Sequence, residues 1–131
     1  MTTDTVPPTS RGTSAPARLL RLDGVLCAAT GLVTGIAAGP VAGLLGTGST
    51  GVVRAVGLAL VGYAVVLLVS SRTRRTRQAL RAAALGNLGW EVASLAVATL
   101  ADLSTAGRLL VAAQGLAIGA LALVQLRAVR Q

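Results

Sequence analysis

The sequence predicts an all-α membrane protein: four transmembrane helices in an up-down-up-down bundle, with both termini cytoplasmic. Three observations predict it. Four apolar stretches, roughly 22–45, 52–70, 79–101 and 107–126, are separated by short polar breaks. Each is long enough, at about 1.5 Å per helical residue, to cross a hydrocarbon core of about 30 Å. All 12 basic residues are Arg, and 10 of them lie before the first stretch, in the connection 72–81 that leads into the third, or after the fourth. Positive charge resists translocation, so those three segments belong inside and the breaks holding Arg54 and Arg108 outside.

Residues 1–17 are rich in Thr, Ser and Pro without apolar periodicity, the pattern of a disordered cytoplasmic tail. The apolar region that follows is too long for a signal-peptide core, and more spans come after it, so the tail is expected to be retained. The transmembrane domain covers 18–127. Its first span opens with Arg18 and Arg21 in the phosphate layer and is interrupted at Gly39-Pro40. Proline cannot donate to the carbonyl four residues back and disfavours helix at the residue before it. The straight helix should therefore end near Ala38, leaving Val41–Leu45 as a separate turn.

Gly46–Gly51 reads as a flexible outer loop, and the second span runs from it to Ser70-Ser71. The stretch RTRRTRQALR forms the cytoplasmic connection. The third span ends near Asp102, and after a turn at Leu103–Gly107 the fourth returns to Arg127, leaving 128–131 as a cytoplasmic end. Short connections make successive spans antiparallel.

Composition excludes much. With 131 residues, 53% of them hydrophobic, and only 4 acidic residues, the chain has room for one domain and lacks the polar faces of a soluble bundle. The net charge of +8 is explained by positive-inside asymmetry. Without interleaved aromatics it does not point to nucleic acid. The arginines are instead expected beside anionic lipid head groups of the bilayer. There is no His and a single Cys, Cys27, so zinc, haem and imidazole-based catalytic arrangements cannot be assembled. No metal, no cofactor and no enzymatic activity are expected. The absence of Lys and Phe, beside heavy use of Ala, Gly, Leu, Val and Arg, matches a GC-rich bacterial genome and hence a bacterial inner membrane.

The candidate functional residues are the polar ones at span depth. Glu91 lies near the centre of the third span, where a charge costs about 2.5–3.5 kcal/mol on insertion scales. Asn87, Glu91 and Ser94 fall at i, i+4 and i+7, on one helical face that lipid cannot satisfy. Thr30 and Thr34 on the first span, Tyr63 on the second and Gln114 on the fourth offer partners at similar depth. Such a layer reads either as interhelical hydrogen bonding that fixes register or as a proton relay or polar-ligand site. Asp23, beside Arg21, reads as solvated or Arg-paired. Asp102 and Arg108 read as a weak interfacial pair. Trp90 is expected against helix neighbours or lipid.

Gly31, Gly35, Gly39 and Gly43 recur at spacing four and predict a side-chain-free groove along the first span. Gly115 and Gly119 repeat the spacing in the fourth. These faces are expected to pack within the monomer, with a homodimer or a membrane-protein partner as the alternative.

The segments LRLDGVLCAATGL, AAGPVAGLLG, VRAVGLALVGYAVVL and GNLGWEVASLAVATL, in this order, resemble a group of small, uncharacterised bacterial integral membrane proteins. These have an LR-D-G start, a Gly-Pro break in the first span and an Asn-x-x-Trp in the third, here Asn87 and Trp90. The resemblance covers about residues 19–127 and implies the same four-helix fold without implying an activity. Small multidrug exporters are similar in architecture only: their membrane acid lies in the first helix, and their aromatic site residues are missing here. The sequence therefore favours a structural or accessory protein of a membrane system. A small proton-coupled transporter or permeation unit using Glu91 is the alternative.

Overall fold

A computed structural model describes residues 14–131. Five helices follow one another: α1 (Ala15–Ile36), α2 (Ala38–Leu45), α3 (Thr50–Ser70), α4 (Thr76–Leu100) and α5 (Thr105–Arg130). There is no strand among the described residues. The four long helices, of 22, 21, 25 and 26 residues, are long and apolar enough to span a membrane. Only 22–28% of the most apolar window of each is buried within the protein. The remainder is not a polar coat: Val92, Leu109, Ile36 and Leu100 are 68–85% exposed, and many other Leu and Val side chains face outward with them. A soluble bundle turns its polar faces out. This exterior suits lipid, and the fold is a four-helix membrane bundle.

The bundle is two antiparallel hairpins. α1 packs along α3, and α4 along α5; α1 joins the pairs by lying against α4 and, more lightly, α5. α3 and α5 share no contact among the described residues. α1 thus touches each of the other three long helices.

Element ends depart from the sequence reading in three places. α1 begins at Ala15, with Pro16 in the first turn, where its missing N–H has no helical partner to lose. Residues 15–17 are therefore helical, with Pro16 and Ala17 buried, and the rest of the expected tail, 1–13, lies outside the described residues. The first span breaks at Ala37, next to the expected Ala38, and the separate piece starts earlier than Val41, at Ala38. The cause is Pro40 acting backwards: its ring and absent N–H disrupt the bond to Ile36, and the chain re-enters helix at Ala38 with the proline inside the new first turn. At the other end, α5 continues to Arg130, three residues past the expected boundary.

The glycine face divides. A Cβ on Gly31 would lie 2.7 Å from the Gly57 carbonyl oxygen, and one on Gly57 would lie 2.5 Å from the Gly35 backbone nitrogen. α1 and α3 therefore cross backbone to backbone at Gly31, Gly35 and Gly57. Gly39 and Gly43 meet nothing within 4 Å and take no part in that groove. They belong to α2, whose axis the break at Ala37 separates from α1, so the spacing of four no longer keeps them on the same face. Gly115 lets Ser94 approach α5, and Gly119 lies directly beneath the Glu91 carboxyl.

The end opposite the arginine-rich segments is closed by a clasp. Gly46 caps α2 with φ 72°, a left-handed conformation suited to glycine. Ser104 then joins two elements: its N–H donates to the Leu45 carbonyl at 2.9 Å and its hydroxyl to the Leu44 carbonyl at 2.9 Å. Its Oγ also accepts from Gly107 N–H at 3.0 Å, capping α5.

Candidate functional site: a buried polar triangle on three helices

Asp23 of α1, Asn87 of α4 and Gln125 of α5 point into the centre of the bundle near its arginine-rich end. Asp23 and Gln125 are fully buried and Asn87 is nearly so. Asn87 Nδ2 donates to Asp23 Oδ2 at 2.7 Å and to Gln125 Oε1 at 3.1 Å. Gln125 Nε2 donates to the same Asp23 Oδ2 at 2.7 Å. The remaining carboxyl oxygen, Oδ1, accepts from Cys27 Sγ at 3.6 Å, one turn along α1. Each amide turns its nitrogen to the carboxyl, so three helices are tied through one oxygen atom.

Apolar packing encloses this arrangement. Leu20, Cys27, Ala64, Leu67, Leu80 and Ala83 form the main core cluster, with Tyr63 partly buried against it. Small residues on α4 let α1 approach closely enough for Asp23 to reach Asn87: Ala83 and Ala84 are buried beside the triangle. The Tyr63 hydroxyl is the only buried side-chain polar atom without a hydrogen-bond partner among the described residues. It sits over Gly86, whose added Cβ would lie 3.3 Å from it.

This places the expected polar layer differently. Asn87 is in the triangle, and Tyr63 lies against the adjoining core. Ser94 is buried against Gly115. Glu91 is half-buried with its carboxyl on Gly119, and it has no hydrogen-bond or ion-pair partner among the described residues. Gln114 and Thr34 are half-buried without a side-chain hydrogen bond among the described residues, and Thr30 is exposed on the outer face of α1. α1 leans on α3 through the Gly31–Gly57 crossing, and this turns Thr30 away from α4. Trp90 is half-buried.

Asp23 overturns its reading as a solvated or Arg-paired side chain: it is 0% exposed, and all its contacts are with neutral groups. Gln125 shares a face of the fourth span with Gln114, three turns away, yet Gln114 is the one the sequence points to and Gln125 is the one in the triangle. Both stand two residues from an arginine, Asp23 after Arg21 and Gln125 before Arg127, which makes each look interfacial when taken alone. The signal that finds them is joint: polar side chains at the same depth below the arginine layer, on separate helices. Arg108 also departs from expectation. Its guanidinium donates to the Ala98 and Thr99 carbonyls, at 3.0 and 3.3 Å, and so caps the end of α4 instead of pairing with Asp102.

Chemically, the triangle centres on one carboxyl that accepts from two amides and, more weakly, from a thiol. No protein-family profile, curated protein or solved structure matches this chain.

Proposed function

We propose that this protein is an integral component of a bacterial inner membrane, N-in and C-in, with a structural or accessory role in a membrane system and no catalytic activity of its own. The observation that carries this reading is the closure of the Asp23–Asn87–Gln125 triangle. The most deeply buried polar cluster spends its hydrogen bonds on its own members, and it joins α1, α4 and α5. Hydrogen bonds of this kind hold transmembrane helices in register, at about 0.6–2 kcal/mol each. The arginine-poor ends at Arg54 and Arg108 support the orientation, and the lack of a nucleophile–base pair supports the absence of an enzyme. The arginines at the other end serve contact with anionic head groups.

One observation favours a second reading. Glu91 holds a carboxyl at span depth without a partner among the described residues, and intramembrane acids of that kind mark proton and ion pathways. It would make the protein a small proton-coupled transporter.

Reconstitution decides between the two. Purified protein goes into liposomes holding a pH-sensitive dye, with a panel of cations outside. The accessory reading expects no proton-linked flux from the wild type. Flux that Glu91→Gln abolishes would replace it with the transporter.

A further inference from the structure

The seam between α3 and α4 is unlike the other seams of the bundle. These helices are consecutive, yet they barely touch, because each packs on a different partner. Between them lies a cleft of about 190 Å³. Its α4 wall is smooth, made of Ala79, Ala82 and Gly86, and its α3 wall presents Val66. Tyr63 closes the inner end and Ser70 marks the mouth, seven residues away, or about 10 Å along the helix.

The mouth opens where the chain passes from α3 to α4. That connection carries Arg72, Arg74 and Arg75, with Arg77 in the first turn of α4, and all four side chains are exposed. Arg74, Arg75 and Arg77 border a separate open hollow of about 620 Å³ that reaches Ser14 and Pro16 at the start of α1. No acidic residue occurs between Asp23 and Glu91, and these arginines meet no carboxylate among the described residues. An apolar cleft running along the membrane, with its mouth at Ser70 and Ala79 about one turn from the exposed Arg72 and Arg75, matches one kind of molecule. We infer that the α3–α4 seam is a binding site for an anionic phospholipid, one acyl chain in the cleft and its phosphate on Arg74, Arg75 and Arg77.

Guanidinium forks bind phosphate oxygens in pairs, which favours phosphate-bearing lipids of net negative charge over zwitterionic ones. A neighbouring helix is a poorer occupant, since its side chains would have to fill a narrow cleft and would leave the arginines unmet. The inference rests on the membrane reading but not on the orientation, because in mixed micelles both ends of the protein meet the same lipids. Failure of the membrane reading itself would show first, as a protein that stays monodisperse without detergent.

The test is native mass spectrometry of the full chain in micelles doped with phosphatidylglycerol or phosphatidylcholine. The wild type should retain one phosphatidylglycerol under activation that strips phosphatidylcholine, a preference of about tenfold or more. Ala82→Phe and Val66→Phe each fill the cleft from an exposed position on opposite walls. Both should lower retention about fivefold with an unchanged melting temperature, and two positions guard against a folding defect in one. Replacing Arg74, Arg75 and Arg77 together by Gln should erase the preference for the anionic lipid. Equal retention of both lipids would overturn the inference, as would retention indifferent to the two Phe variants. Competition by soluble glycerol phosphate as strong as by the lipid would also overturn it, by showing a site for free anions.

Discussion

Gln125 and Asp23 are 102 residues apart in the chain and 2.7 Å apart in the fold, joined by a hydrogen bond from the Gln125 amide to Asp23 Oδ2. Asn87 donates to the same oxygen, so two amides on two helices depend on one acceptor. Apolar side chains in lipid gain little by exchanging lipid for one another, which leaves polar contacts and close packing to decide which helices associate. The hairpins α1–α3 and α4–α5 also meet in the apolar core and at the Ser104 clasp, and the triangle is the polar tie between them at the buried centre of the bundle.

Asp23 variants should therefore divide by shape. Asn in its place can turn its oxygen to the two amides and its nitrogen to Cys27, whose sulfur then accepts weakly. Both strong bonds survive, and the loss should stay below about 1 kcal/mol. Leu in its place strands the Gln125 amide nitrogen and leaves Asn87 only its bond to Gln125, and should cost about 1–3 kcal/mol, as should Asn87→Leu. Reversible unfolding in mixed micelles measures the difference. Equal losses for Asp23→Asn and Asp23→Leu would mean that the carboxyl is not the hub.

The α1–α3 crossing predicts a sharp contrast among glycines that look equivalent in sequence. Gly57→Ala and Gly31→Ala force backbone against backbone and should each cost about 1–3 kcal/mol by overpacking. Gly39→Ala and Gly43→Ala point into open space and should be neutral. Gly35→Ala should also be tolerated, because its own Cβ meets nothing although its backbone receives Gly57. Melting temperatures of the five variants in one detergent make the comparison.

How much of this was legible in the sequence follows from what sequence patterns encode. Span length and arginine placement are properties of single segments, so the four long helices could be read directly. Pro40 announced a break, but its steric effect reaches back to Ala37, beyond the residue just before it. Facing was harder. Helical spacing groups Asn87, Glu91 and Ser94 on one side of α4, yet Asn87 meets Asp23 and Gln125 while Glu91 rests on a glycine. Which neighbour stands opposite each turn depends on the crossing of α1 over α3, and that crossing is set by Gly57. A helix-pair property cannot be recovered from either helix alone.

Orientation is tested by cysteine accessibility in a Cys27→Ala background. Cysteines placed at Thr50 and Thr105, both exposed at the arginine-poor end, should react with an impermeant reagent added to intact cells. Those at Thr73 and Gln131 should react only after lysis. Labelling of Thr73 from outside would invert the topology.

Glu91 gives the most discriminating substitution. Its carboxyl has no donor among the described residues and rests on Gly119, so the bundle gains nothing from it that Leu would take away. Desolvating an ionisable group at span depth costs about 2.5–3.5 kcal/mol when charged. Glu91→Leu should therefore be neutral or stabilising, the opposite of Asn87→Leu, and the two are compared in the same unfolding experiment. A clear loss of stability in Glu91→Leu would reveal a partner for the carboxyl within the bundle. Gly119→Ala supplies the complementary probe. Its methyl group would occupy the space of the Glu91 carboxyl, which sits at the end of a flexible side chain and can swing aside. The variant should fold normally and present Glu91 more fully to lipid. In liposomes, unchanged permeability of wild type, Glu91→Gln and Gly119→Ala to protons and cations keeps the accessory reading. A proton-linked flux present in the wild type, lost in Glu91→Gln and altered in Gly119→Ala would assign Glu91 a coupling role, since Gln keeps the shape of Glu but has no proton to release.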